Sequence, residues 1–132
     1  MGLITTPSAH SASSTLDRLE AALKDRGFTI FTRIDHAAAA AAAGLKMPPS
    51  TVLVFGIPRV GTPAFVQKPT LAIDLPLKAL VYEDSTGKVW VSYNSADYVL
   101  GPIYSRHGVT PNPEAKPRTE KALAEATEAA TK

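Results

Sequence analysis

Two strand-like runs, Leu77 to Glu83 and Lys88 to Tyr93, are separated only by Asp84-Ser85-Thr86-Gly87. Gly87 can take the positive φ that a tight turn needs, so this stretch predicts a β-hairpin. A hairpin commits the chain to an antiparallel pairing, and the remaining elements must extend that sheet or cover one of its faces. Thr51 to Phe55 (TVLVF) is apolar on both faces, as an interior strand should be. Phe28 to Ile34 reads as another strand, with Phe28, Ile30 and Ile34 on one face and Thr29, Phe31 and Arg33 on the other. A short strand is expected near Leu3 to Thr6.

The covering helices show a different period. Leu16, Leu19 and Leu23 recur at helical spacing after the candidate caps Ser11, Ser13 and Ser14, and Gly27 ends the segment. Asp35 is placed to cap the alanine run Ala37 to Ala43, closed by Gly44. That helix either packs very close to a neighbour or stands on alanine's propensity alone. Gly56 to Gly61 is expected as a loop, with Thr62-Pro63 opening a short helix through Gln67. Leu71, Ile73 and Leu75 alternate between Pro69 and Pro76. Asn94 or Ser95 can cap a helix reaching Tyr104, which Gly101-Pro102 would interrupt. The predicted class is therefore α+β, an antiparallel or mixed sheet with helices packed on one face. A single domain is expected over 1–110. Pro111, Pro113 and Pro117 then suggest a linker, and 119–132 a helical tail with little to bury, left to fray or to pack on a second subunit.

A length of 132 residues suits one domain. With no cysteine, disulfides, thiolate metal sites and cysteine nucleophiles are excluded. The net charge of +2 is scattered, without the basic stripe of a nucleic-acid binder. No basic segment leads into an apolar one at the start, and no apolar run nears the roughly 20 residues of a membrane span. A cytoplasmic protein with neither nucleic-acid nor membrane partner is expected.

Six segments in order carry a family likeness: Phe31-Thr32-Arg33-Ile34-Asp35-His36, Leu45-Lys46-Met47-Pro48-Pro49, Val54-Phe55-Gly56-Ile57-Pro58, Gly61-Thr62-Pro63, Asp74-Leu75-Pro76-Leu77 and Val91-Ser92-Tyr93-Asn94. Over residues 12 to 108 the chain resembles the domain of unknown function 302 (DUF302) family of bacteria and archaea. The resemblance implies a compact α+β fold with an antiparallel sheet, often dimeric, and implies no reaction. Where family members often carry Asn, this chain has Ile57, which weakens any ligand role for that side chain.

Four constellations are candidates for chemistry. Asp35-His36 offers a carboxylate and an imidazole for acid/base or metal work, against the simpler reading of a cap and a first helical residue. Phe55-Gly56 leads into Gly56 to Thr62, which has the G-x-x-x-x-G spacing of a phosphate loop but lacks the lysine that should follow. With Arg59, Gly61 and Thr62 it retains only the prospect of a carboxylate or phosphate held by backbone N–H groups, against an ordinary capped loop. Asp74 and Arg106-His107 would have to meet His36 in space to form a polar or metal site, and their spacing does not require it. His10 is expected at the surface. Among the aromatics Tyr82, Trp90, Tyr93, Tyr98 and Tyr104, Tyr82 and Tyr93 either jointly line a pocket or are simply core. The leading expectation is a small-ligand-binding or sensing module, without cofactor or metal, acting as a homodimer. The alternatives are an enzyme using Asp35 or His36, and a structural domain whose tail holds a partner.

Overall fold

The computed structural model describes residues 2–132, so Met1, the first position of the expected domain, lies outside the described residues. The strands are β1 (Leu3–Pro7), β2 (Thr29–Asp35), β3 (Ser50–Gly56), β4 (Leu77–Glu83) and β5 (Val89–Asn94). The helices are α1 (Ala12–Asp25), α2 (His36–Ala42), α3 (Pro58–Gln67), α4 (Ala96–Tyr98), α5 (Tyr104–Arg106) and α6 (Ala115–Thr131). The sheet runs β1-β5-β4-β3-β2 with every neighbouring pair antiparallel. The expected α+β class holds, and the sheet is antiparallel rather than mixed.

The core lies between one sheet face and the pair α1 and α6. Leu19 and Leu23 from α1 meet Leu53 and Phe55 of β3, Val81 of β4 and Val91 of β5. Phe28 packs edge-on against Phe55, with ring centroids 5.2 Å apart. Helix α1 starts where Ser11 accepts a hydrogen bond from the Ser14 N–H, and its chain reverses at Gly27 with φ +86°.

Several elements depart from the sequence reading. The segment expected to fray is α6, and it places Leu123, Ala126 and Ala130 in the same core. Leu123, Ala126, Thr127 and Ala130 recur at helical spacing, so one narrow stripe of mostly small residues lets α6 lie against α1. Arg18 donates to the carbonyls of Ala129 and Ala130 across that seam. In β2, Phe31 is an extra residue between the pairs Ile30–Phe55 and Thr32–Val54. This bulge inverts the side-chain phase beyond it. Arg33 thus turns to the helix face, where it binds Asp17 and Glu20, and Ile34 is left 46% exposed on the other.

Helix α2 buries no residue, so alanine propensity together with the Asp35 cap accounts for it. Helix α3 starts five residues earlier than Thr62-Pro63 suggests, because Pro58 is already suited to a first turn. Pro63 falls inside this largely exposed helix, and the expected loop shrinks to Ile57. Residues Pro69–Ile73 form a 3-10 turn that buries Leu71 and leaves Ile73 exposed. Tyr93 joins the core while Tyr82 lies beside Trp90 on the opposite face, so the two tyrosines share no pocket. Trp90 donates to Asp84 at 2.8 Å across the hairpin turn. His10 is half-buried rather than at the surface.

Candidate functional site

At one end of the sheet β2 begins, β3 finishes and β4 begins, with Thr29 opposite Gly56 and Phe55 opposite Leu77. Two backbone irregularities converge there. The β2 bulge sets Phe31 across Gly56, where even a Cβ would come within 3.3 Å of the ring. On the opposite wall, α4 passes into α5 through a π-helical turn, Val99–Ile103, containing Gly101-Pro102. Proline withholds the N–H that a regular turn would use, and the wider turn accommodates it. Bulges and π-turns both re-aim side chains, and here Phe31, Val99, Leu100 and Tyr104 border one cavity of about 160 Å³.

Helix α3 and the Ile57 that precedes it supply a third wall, with Val60 and Phe65 from the helix, and Ala115 and Thr119 of α6 complete the lining. Gly61 stands against the Phe65 ring, which a Cβ would meet at ordinary contact distance. Phe28 and Val99 form the buried floor, while Phe31 and Val60 are exposed at the rim. The lining residues that carry a polar side-chain group are Tyr104 and Thr119. Burial raises the Tyr104 pKa, so at neutral pH the phenol keeps its proton and can donate.

Behind the Leu75-Pro76 wall stands a polar clamp. Asp74 accepts from Arg106 Nε at 2.9 Å and Nη2 at 3.2 Å and also binds His107 Nε2. His107 Nδ1 lies 2.9 Å from the Thr70 hydroxyl, and the imidazole is about nine-tenths buried. The His107 hydrogen bond, then Arg106, hold the Asp74 carboxyl below its usual range. The clamp ties the 3-10 turn to the end of α5, fixing Leu75 and Tyr104 on either side of it.

A family model described as "Domain of unknown function DUF302" matches residues 4–129. The chain belongs to the DUF302 family. A crystal structure of an uncharacterised conserved DUF302 protein from Bacillus stearothermophilus superposes with a TM-score of 0.79 at 21% identity, covering 98% of each chain, which speaks for the fold. Over 93 residues the chain is 45% identical to a protein of Brucella suis biovar 1 (strain 1330) named fluoride-specific ion channel FluC 1. A Brucella abortus biovar 1 (strain 9-941) protein of the same name matches at the same identity. Those matches cover 70% of this chain but only 37% and 34% of the relatives. Among the described residues no helix is long and apolar enough to cross a membrane.

Within this DUF302 domain the residues singled out from sequence fall into separate places. Gly56 and Gly61 line the cleft, whereas Arg59 and Thr62 are exposed on α3 outside the lining. Phe55 is fully buried and Tyr93 nearly so, both in the core; burial raises the Tyr93 pKa. Asp74, Arg106 and His107 do meet, but without His36. Asp35 and His36 lie at the far end of β2, Asp35 roughly 13 Å by strand rise from the cleft's Phe31, both exposed. Asp35 is occupied as a cap, accepting from the Ala38 N–H at 2.9 Å. Among the described residues no group of three or more metal-ligating side chains assembles.

Of the cleft's aromatics, Tyr104 is among the candidates read from sequence, whereas Phe31 and Phe65 are not. Phe31 offered a signal as a large ring on the polar-alternating side of β2. Gly101-Pro102 offered another, because a helix broken in that way must distort somewhere.

Proposed function

We propose that this DUF302 domain is a small-molecule-binding module whose site is the cleft between β2, α3 and the 96–106 helical segment. The observation that carries this reading is the convergence of the Phe31 bulge and the Val99–Ile103 π-turn on one cavity. Each irregularity interrupts regular hydrogen bonding, and together they open an apolar space that regular elements would close. Apolar walls with few polar groups are the usual make-up of a ligand site. Titration of ¹⁵N-labelled protein with a library of small fragments tests it. Amide shifts should cluster at Phe31, Val60, Leu100 and Tyr104; shifts confined to Asp35 and His36 would favour the acid/base reading instead.

Homodimerisation is part of the same proposal. The sheet face opposite α1 and α6 carries the half-buried Val52, Val54, Leu80 and Trp90, with Ile34 46% and Leu3 62% exposed toward its edges. A second copy on this face would account for such apolar surface. Light scattering on the purified protein should give twice the 13.9 kDa chain mass; a mass of one chain at all concentrations would remove this part.

The Brucella relatives favour an extension. A module of this kind, joined to a protein named as a channel, would report a bound molecule to its neighbour. The apolar cleft suits neither fluoride nor any other small anion, so the ligand and the channel's ion would differ. Flux through the full-length Brucella suis protein in liposomes should change when the cleft ligand is added, and unchanged flux would sever the two.

A further inference from the structure

We infer that the cleft selects an uncharged, single-ring ligand, a phenol-like or simple aromatic molecule, and rejects its carboxylate counterparts. The inference rests on the proposed role of the cleft and adds the ligand's chemistry. Three observations support it. The volume of about 160 Å³ holds one ring and little more. An apolar engineered cavity of about 150 Å³ is known to admit benzene, which sets the scale. The walls carry several aromatic rings, Phe28, Phe31, Phe65 and Tyr104, which favour edge-on or offset contact with another ring.

Charge decides the rest. No Asp, Glu, Lys, Arg or His is found among the residues lining the cavity. Of the charged residues that adjoin lining residues in sequence, Asp74 is engaged with Arg106 and His107 behind Leu75, and Arg59 is exposed on α3 outside the lining. An ion entering the cleft would lose its hydration and meet no opposite charge, whereas a neutral ring loses little. The Tyr104 and Thr119 hydroxyls can satisfy one polar substituent such as a phenol hydroxyl.

Calorimetric titration of the full chain with phenol, toluene and benzoate at neutral pH separates the possibilities. Phenol and toluene should both bind, and benzoate at least about tenfold more weakly, the factor that about 1.4 kcal/mol of unmatched desolvation produces. Tyr104→Phe should weaken phenol by about three- to tenfold, one neutral hydrogen bond, and leave toluene unchanged. Thr119→Val serves as a second variant should Tyr104→Phe fold poorly. Benzoate binding as tightly as phenol would overturn the selectivity while leaving the cleft as a ligand site. Absence of binding by all three, with the protein folded, would overturn both this inference and the reading beneath it.

Discussion

At the residue scale, Asp74 and Gly56 set the shape of the cleft through opposite means. Asp74 is held ionised by His107 and Arg106, so its folded-state pKa lies below the ordinary 3.8. A depressed carboxyl pKa contributes stability that is present above the unfolded value and is lost as pH falls through the folded one. Asp74→Asn should therefore be less stable than the parent at neutral pH, and the gap should close as pH drops below about 4. Thermal melts of both proteins across that range check the sign; a gap that widened on acidification would contradict the clamp. Gly56 acts by absence. A methyl there would press the Phe31 ring at 3.3 Å, and because Phe31 is 48% exposed the ring can yield. Gly56→Ala should thus change stability by less than about 1 kcal/mol. The displaced ring should nonetheless weaken phenol binding, as calorimetry would show. The glycine stands out in the sequence as the start of a loop, although it is the last paired residue of β3. Its partner does not, because the bulge that aims Phe31 depends on pairing with β3.

At the scale of elements, α2 and α6 are both alanine-rich helices held for different reasons. Helix α2 buries no residue and rests on its cap and propensity, so Ala39→Gly, at an exposed position, should destabilise by about 1 kcal/mol and no more. Helix α6 is half of the helical layer, and Leu123→Ala should cost about 2–5 kcal/mol by emptying a core position. Chemical denaturation of the two variants measures the contrast, and equal losses would contradict it. Sequence periodicity disclosed α1, the hairpin and the capped start of α2, because each depends on residues close together in the chain. It undervalued α6, whose stripe of one leucine and small residues looks weak until α1 supplies the complementary surface. It misplaced α3 because two Pro-based start signals compete within five residues and local sequence alone does not rank them.

For the whole molecule, the chain's local signals gave the class, an antiparallel sheet with helices on one face. The cleft arises only when three distant segments meet at one sheet end, and no spacing announces such a meeting. Asp35 and His36 drew attention because adjacent polar groups are conspicuous in a sequence. The fold puts Asp35 four residues beyond the cleft's Phe31, roughly 13 Å by strand rise, and occupies the carboxylate with capping. His107 and Asp74 do come together, yet as a buttress behind the wall rather than as a lining. Crystallising the protein with iodobenzene tests the central claim most directly, since anomalous scattering locates the iodine. The account predicts one principal peak inside the cavity, bounded by Phe31, Phe65, Leu100 and Tyr104. A cavity without a peak, with iodine instead on the open sheet face or beside Asp35, would contradict it.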